Sequence, residues 1–318
     1  LADVEQAKPF TEDTLVRIFS MTKPITSVAA MMLYEQGCFQ LDDPVAKYLP
    51  EFAQTPVWKG GAHALNEVEA QASPMLVKHL FTHTSGLTYG FMNTNVVDAQ
   101  YREQGLEFPG KPDNLAHWVE QLASVPLICQ PGSQWNYSVA TDVLGRLVEV
   151  WSGQELAVFF RERIFGPLDM TDTAFAVAPE QQQRFAALYA PLSGGDMSSV
   201  GSKSSPTVDE PRGGLKLMES SLKSSYFKQP KLCSGGGGLT GSIGDYAKFC
   251  QMLLNGGELN GARLLSPTTV NFMRLNQLPD GQDMAAMGQP VWSETSYDGV
   301  GFGLGFAVVI DPPKASII

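Results

Sequence analysis

Phe19-Ser20-Met21-Thr22-Lys23-Pro24 begins an apolar run that ends at Gly37. The run predicts a helix with Ser20 at its entrance, because Pro24 suits a first helical turn, where its missing N–H is not needed. Gly37 can adopt the left-handed conformation that ends many helices. One face of the helix is predicted to be buried, since mostly apolar residues recur along it at helical spacing: Ile25, Val28, Ala29, Met32 and Gln36.

Ser20 and Lys23 are three residues apart, so their side chains lie on the same face of the predicted helix. A hydroxyl beside an amine is the arrangement of an activated serine nucleophile. The Ser-x-x-Lys pattern alone is weak, because it also occurs at Ser220/Lys223 and Ser225/Lys228. Those two pairs fall in a polar stretch without a predicted buried helix. Taken in isolation, Ser20 is better explained as an ordinary N-cap than as a nucleophile.

The composition indicates a globular protein with one large domain or two interleaved ones, since 43% of the 318 residues are hydrophobic. The net charge of −11, without any basic run, disfavours nucleic acid and anionic membranes as partners. No apolar segment reaches the roughly 20 residues that a membrane-spanning helix needs. A cytoplasmic location is expected. Periplasmic or secreted locations stay open, because the chain begins at Leu1 and a leader could have been removed.

The cysteines and histidines predict neither a disulfide framework nor a metal site. His79 and His83 are four residues apart, but no Glu lies between them in a metalloprotease pattern. A dyad of His83 with Ser85 is a weaker alternative than local turn hydrogen bonds. No G-x-S-x-G motif occurs, which counts against an α/β-hydrolase. Four separate buried thiols are predicted from the wide spacing of Cys38, Cys129, Cys233 and Cys250.

Helical patterns and stop signals predict several further helices. These are Met75–Phe81, Leu115–Val125, Val139–Trp151, Leu156–Ile164 and a helix from Ser242 to Asn255 that opens with a loose capping box. Ser138 is the predicted N-cap of the third of these. Tyr137 would therefore lie on a loop directly before a helix, where a side chain can project into a cleft.

Other stretches predict loops, a close chain approach and one strand. Residues 91–113 and 191–232 are read as loops from their aromatic, Gly, Pro, Ser and Lys content. The run Gly235–Gly238 requires unusual backbone angles or close approach to another segment. Gly301–Ile310 alternates small and large residues, which predicts a strand.

Four motifs in this order resemble the serine β-lactamase-like superfamily and, most closely, the family VIII carboxylesterases. The resemblance spans about Leu15 to Ile310, and the motifs are Ser20-Met21-Thr22-Lys23, Leu80-Phe81-Thr82-His83-Thr84-Ser85-Gly86-Leu87, Pro131-Gly132-x-x-Trp135-x-Tyr137-Ser138, and Phe165-Gly166-Pro167-Leu168-Asp169-Met170-Thr171-Asp172-Thr173. It implies an α/β fold of the α+β type, with a central antiparallel sheet flanked by helices and a mainly helical region. Residues 1–19 and 231–318 would form the α/β region, and residues 20–230 the helical region, with a loop-rich insert at 191–232.

The resemblance implies a serine carboxylesterase that needs no cofactor and acts on short or medium acyl esters. Ser20 would attack the ester carbonyl and form an acyl-enzyme, while Tyr137 and Lys23 would take the serine proton. The backbone N–H of Ser20 would supply half of an oxyanion hole. The expected partner is a small-molecule ester, with neither nucleic acid nor a membrane, and the oligomeric state stays open.

Two departures from the family pattern keep alternatives open. Val139 stands where class C β-lactamases have the Asn of Tyr-Xaa-Asn, and Val cannot hydrogen-bond a β-lactam side chain. The third family motif, Lys-Thr-Gly or Trp-Gly-Gly, is expected after residues 301–310 but does not occur. An incomplete chain and a catalytically impaired one are both compatible with this. The alternatives are a class C-like β-lactamase, a D-amino-acid peptidase, an acyltransferase and a non-catalytic binding protein.

Overall fold

The helix predicted after Ser20 runs through the core as α1 (Thr22–Glu35). The computed structural model describes residues 1–107, 113–191, 214–288 and 297–315. A short 3₁₀ turn, Phe19–Met21, places Ser20 at the entrance of α1, and Gly37 ends the helical segment with φ +75°. The prediction of one buried face was wrong. Every side chain from Ile25 to Leu33 is buried, because other segments surround α1, whereas Gln36 is exposed.

Five further helices lie in the described middle part of the chain. They are α2 (Val77–Phe81), α3 (Val96–Gln104), α4 (Leu115–Ala123), α5 (Ala140–Ser152) and α6 (Leu156–Phe160). The sequence predicted all of these except α3, with ends that differ by a few residues. The predicted helix Leu156–Ile164 passes into a π-helical turn, Arg161–Phe165. Helix α5 is central to this group, because it packs against α1, α2, α4 and α6.

Helix α3 lies within residues 91–113, which the sequence analysis read as loop, so that prediction was wrong there. The Asn95 side chain accepts the N–H groups of Val97 and Asp98, and the Asp98 carboxylate accepts the N–H of Asn95 in return. This reciprocal capping starts the helix, and Gly105 ends it with φ +67°. Residues 108–112 of the predicted loop lie outside the described residues.

The strands form antiparallel pairs. In chain order they are β1 (Val16–Arg17), β2 (Val57–Trp58), β3 (Val68–Glu69), β4 (Leu188–Pro191), β5 (Leu215–Glu219), β6 (Thr240–Gly241), β7 (Glu258–Leu259), β8 (Ala262–Arg263), β9 (Val300–Phe302) and β10 (Ala307–Val309). Strand β1 pairs with β6, β2 with β3, β4 with β5, β7 with β8, and β9 with β10. Within the described ranges these pairs do not join into the single central sheet that the resemblance implies.

The predicted strand Gly301–Ile310 is a hairpin, which corrects the sequence interpretation. Its arms are β9 and β10, and the N–H of Gly303 donates to the carbonyl of Phe306 at 2.8 Å across the turn. Gly305 has φ +107°, and a Cβ at this position would collide with the Ser27 hydroxyl of α1. The chain therefore reverses at Gly305, close against α1, instead of continuing as a strand.

Three helices complete the later part of the described chain: α7 (Ile243–Leu254), α8 (Pro267–Met273) and α9 (Met284–Met287).

Of the predicted insert 191–232, residues 192–213 lie outside the described residues, and the part from 214 onward contains β5 instead of loop alone. The division into residues 1–19 with 231–318 and residues 20–230 stays a prediction. All four cysteines are free thiols, but the prediction that all are buried was wrong: Cys129 is buried, Cys38 and Cys233 are partly buried, and Cys250 is exposed. Across the described ranges, every helix falls short of the length and apolar character needed to cross a membrane.

Candidate active site

Ser20, Lys23 and Tyr137 come together at the entrance of α1. The Lys23 amine donates to the Ser20 hydroxyl oxygen at 3.1 Å, and the Tyr137 hydroxyl donates to the same oxygen at 2.5 Å. Ser20 is exposed, whereas Lys23 is only 5% exposed. One accessible hydroxyl thus meets two groups able to exchange its proton, which is the geometry that a nucleophilic serine requires.

The backbone before Ser20 is strained. Phe19 has φ +41°, in the left-handed region that residues with a Cβ rarely adopt. The strained turn joins β1, which pairs with β6, to the entrance of α1. Such strain persists where the surrounding structure enforces it, and it is frequent at functional sites. Here it directly precedes Ser20, which is exposed at the surface.

His83 holds the backbone on both sides of Tyr137. The N–H of Asn136 donates to the His83 carbonyl at 2.8 Å, and the N–H of Ser138 donates to the ring nitrogen Nδ1 of His83 at 3.3 Å. Burial, followed by the nearby Lys23 charge, lowers the pKa of His83 well below its ordinary value. The ring therefore stays neutral and keeps Nδ1 as an acceptor.

The weaker alternative of a His83–Ser85 dyad is not formed. His83 Nδ1 lies 3.2 Å from the Ser138 hydroxyl, and the Ser85 hydroxyl accepts the N–H of Leu87 at 3.3 Å. Ser85 therefore makes the local turn hydrogen bond that its sequence position favours. The contact of His83 with the backbone beside Tyr137 has no signal in the sequence, because it joins residues 55 positions apart.

Aromatic rings cover the Lys23 amine. Its nitrogen lies 4.6 Å from the centre of the Tyr137 ring and 5.3 Å from that of Tyr89. The faces of aromatic rings attract a cation, so they stabilise an amine at this position. Burial raises the pKa of Tyr89 well above its ordinary value, which keeps this second phenol protonated. Tyr89 was not predicted from the sequence, although it closely follows the His83–Leu87 motif.

Asp142 is a second residue that the sequence analysis missed. Its carboxylate is buried on α5 and accepts hydrogen bonds from the hydroxyl of Ser234 and the N–H of Gly236. Burial raises the pKa of Asp142 above its ordinary value. The available signal was a charged residue in an otherwise apolar helical face, which is rarely buried without partners.

The other two Ser-x-x-Lys pairs lack such surroundings. Lys223 and Lys228 are both exposed, and neither Ser220 nor Ser225 begins an α-helix. The three Ser-x-x-Lys pairs therefore differ in their surroundings and not in the motif itself. Val139 is only 1% exposed, so its side chain lies in the core.

Among the described residues, no group of three His, Cys, Asp or Glu side chains is arranged to hold a metal ion.

Known proteins resemble this chain over nearly its whole length. Protein Rv1367c of Mycobacterium tuberculosis is 36% identical over 314 residues, which cover 98% of this chain and 71% of that protein. Esterase EstB of Burkholderia gladioli is 34% identical over 318 residues, covering 99% and 72% of the two chains. The solved structure of EstCE1, described as a hydrolase with promiscuous acyltransferase activity, matches with a TM-score of 0.71 at 28% identity, covering 98% and 74%.

The family profile matches the same extent. The profile described as Beta-lactamase covers residues 1–315. Together with the structural match, it shows the β-lactamase/transpeptidase-like fold that the ordered motifs predicted. The chain belongs to the beta-lactamase family.

Proposed function

We propose that the protein is a serine carboxylesterase that hydrolyses short and medium-chain acyl esters through an acyl-enzyme on Ser20. The observation that carries the proposal is the convergence of the Lys23 amine and the Tyr137 hydroxyl on the Ser20 oxygen, at 3.1 and 2.5 Å. Ser20 Oγ is the acceptor in both contacts. Either partner can instead accept the serine proton once it has lost its own.

The reaction would proceed in two steps. In acylation, the Tyr137–Lys23 pair removes the proton of Ser20, and the serine oxygen attacks the ester carbonyl. The Ser20 N–H stabilises the tetrahedral oxyanion. The carbon–oxygen bond to the alcohol then breaks, and the alcohol leaves with the proton that the pair held. In deacylation, water attacks the acyl-enzyme with the same pair as base, which releases the acid and restores Ser20.

Two observations favour an ester over a β-lactam as substrate. The buried, apolar Val139 cannot offer a hydrogen bond to an amide side chain, whereas an ester needs none. The relative EstB is named an esterase, and EstCE1 is described as a hydrolase. A small-molecule ester is accordingly the proposed partner, and the mechanism requires no cofactor.

Acyl transfer is the second candidate, favoured by the description of EstCE1 as having promiscuous acyltransferase activity. Transfer needs the same acyl-enzyme and differs only in the group that attacks it, an alcohol or amine instead of water. Adding an alcohol acceptor to an ester assay distinguishes the two, because a transferase converts the acyl group into a new ester while a hydrolase continues to release acid.

The first test is hydrolysis of a chromogenic acetate or butyrate ester beside a chromogenic cephalosporin. We expect ester turnover in the wild type, none in Ser20→Ala, and little opening of the cephalosporin. Ser225→Ala is the matched control, since it removes the serine of an exposed Ser-x-x-Lys pair. Cephalosporin turnover faster than ester turnover would replace the esterase by a β-lactamase, and ester turnover in Ser20→Ala would reject the site.

A further inference from the structure

The run Gly235–Gly238 lies between α1 and α5 with almost no space for side chains. A Cβ on Gly235 would lie 2.9 Å from the carbonyl oxygen of Thr141, and one on Gly238 would lie 2.9 Å from that of Ser234. A Cβ on Gly236 would collide with the Asp142 carboxylate. At Gly237 the nearest atoms, in Phe19, are 3.8 and 4.0 Å away, an ordinary contact. Glycine is therefore required for space at three of the four positions.

Asp142 holds one side of this run. Its Oδ1 atom accepts the hydroxyl of Ser234 at 2.5 Å and the backbone N–H of Gly236 at 2.9 Å. A buried carboxylate is stable only with such partners, and hydrogen bonds to a charged acceptor are among the stronger ones in proteins. The loop position is thus coupled to the carboxylate on α5.

Helix α1 holds the other side. The Lys23 amine donates to the carbonyl oxygen of Gly236 at 2.7 Å, and the Thr26 hydroxyl donates to that of Gly235 at 2.7 Å. Gly236 therefore receives Lys23 on its carbonyl and gives its N–H to Asp142. The contact of Lys23 with Gly236 is shorter than its contact with Ser20, at 2.7 against 3.1 Å. The loop consequently helps to set the direction in which the amine points.

We propose that Asp142 is a positioning residue for the reaction at Ser20: it fixes Gly236, whose carbonyl orients the Lys23 amine toward the serine hydroxyl, and it supplies the buried negative charge that balances that amine. The inference rests on the proposed serine hydrolase function and extends it to a residue that does not touch the substrate.

The charge part of the proposal follows from the groups around Lys23. Those that face it are the phenols of Tyr89 and Tyr137, the imidazole of His83, and Asp142. Burial keeps Tyr89 a neutral phenol and His83 a neutral imidazole. Asp142 is the carboxylic acid among them: burial raises its pKa, and the hydrogen bonds from Ser234 and Gly236 favour its charged form. A nearby negative charge favours the protonated form of an amine, so the charge part of the proposal is tested by removing the carboxylate.

The first experiment compares Asp142→Asn with Ser234→Ala in pH–rate profiles of ester hydrolysis. Asn keeps the volume and an acceptor for Gly236 but removes the charge, whereas Ser234→Ala removes one hydrogen bond and keeps the charge. We expect the acid limb of kcat/KM to move to lower pH in Asp142→Asn and to stay in place in Ser234→Ala. An unmoved limb in Asp142→Asn would overturn the charge role.

The second experiment tests positioning with adjacent glycines. Gly236→Ala displaces the contact with Asp142, and we expect kcat to fall about 100-fold with little change in KM, a size typical of small misplacements in an active site. Gly237→Ala is the matched control and should keep near wild-type activity. In an Asp142→Ala background, Gly236→Ala should have little further effect. Equal activities of Gly236→Ala and Gly237→Ala would contradict the positioning role.

The failure of this inference is distinguishable from failure of the proposed function. Ester turnover in Ser20→Ala would reject the whole site. An inactive Ser20→Ala together with an unchanged Asp142→Asn profile would reject only the role of Asp142. If Asp142→Ala does not fold, the comparison of Gly236→Ala with Gly237→Ala decides the question alone, because it leaves Asp142 in place.

Discussion

At the scale of single residues, the left-handed backbone of Phe19 has a measurable consequence. Its φ of +41° disfavours any residue with a Cβ, and its side chain is 43% exposed. We therefore expect Phe19→Gly to be more stable than Phe19→Ala by about 1 kcal/mol, although both lose the same ring. Urea unfolding of the two variants measures the difference. A more stable Phe19→Ala would show that the backbone at this position is not strained.

The contribution of the Tyr137 hydroxyl to the rate of acylation can be measured by itself. Tyr137→Phe keeps the ring beside His83 and Lys23 but removes the group that lies 2.5 Å from the Ser20 oxygen. Loss of a proton-transfer group typically lowers a rate by about 10²–10⁴-fold, so acylation should slow by that order while the unfolding midpoint changes little. Single-turnover ester kinetics provide the measurement. Near wild-type acylation in Tyr137→Phe would leave Lys23 as the sole base.

At the scale of elements, the start of α7 shows a helix anchored by tertiary contacts. The Ser242 hydroxyl accepts the N–H of Asp245 at 3.4 Å, as the loose capping box predicted. The Asp245 carboxylate does not accept the backbone N–H of Ser242, as the second half of a capping box would require. It accepts the N–H of Asp172 at 2.7 Å and the hydroxyl of Thr173 at 2.9 Å. One end of α7 is thereby joined to the segment that follows α6.

Removing the hydrogen bonds of Asp245 to Asp172 and Thr173 should destabilise the protein more than removing the N-cap hydrogen bond of Ser242. Asp245→Ala leaves the N–H of Asp172 and the hydroxyl of Thr173 without this acceptor, so we expect a loss of about 2–3 kcal/mol. Ser242→Ala should cost about 1 kcal/mol, the usual value for an N-cap. The free energy of unfolding in urea is the measurement. The reverse order of the two losses would show that local capping dominates at α7.

The sequence predicted those helices whose formation depends on residues close together in the chain. Helix α1 was predicted from its apolar spacing and Gly37, and the five-residue α2 from a short apolar run. Helix α3 was missed because its polar face gave little periodicity, although Asn95 and Asp98 already formed a capping pair in the sequence. The hairpin at residues 300–309 was missed because its reversal depends on the contact of Gly305 with α1.

The candidate site also contains residues that the sequence predicted and residues that it did not. Ser20, Lys23 and Tyr137 were predicted as catalytic residues because they occur in motifs whose order resembles that of a family. Asp142 and the hydrogen bonds of His83 beside Tyr137 were not predicted, because each depends on contacts between distant parts of the chain. Gly236 and Asp142 are 94 residues apart. Only the folded chain brings these groups together, so spacing in the sequence carries no signal for them.

At the scale of the whole molecule, buried histidines make stability depend on pH. Burial is the main cause that lowers the pKa of His79 to about 4. In the unfolded chain an ordinary histidine has a pKa near 6.5, so between about pH 6.5 and about pH 4 the unfolded state binds a proton that the native state does not. Stability therefore falls as the pH decreases through this window.

A variant isolates the contribution of His79. His79→Gln keeps a side-chain acceptor for the N–H of Leu76, which His79 Nδ1 accepts at 3.1 Å, but does not titrate. Between about pH 7 and about pH 4.5, its free energy of unfolding should fall by about 2 kcal/mol less than that of the wild type. Urea unfolding across this range measures both slopes. Identical slopes would show that His79 titrates normally in the native protein.

Intact-protein mass spectrometry detects the covalent acyl intermediate that Ser20 is proposed to form. After brief mixing with an activated acyl ester and quenching in acid, the wild type should gain the mass of one acyl group, and peptide mapping should place it on Ser20. Ser20→Ala should gain none, and Ser225→Ala should be labelled like the wild type. An acyl group on any other residue, or on Ser20→Ala, would contradict the account.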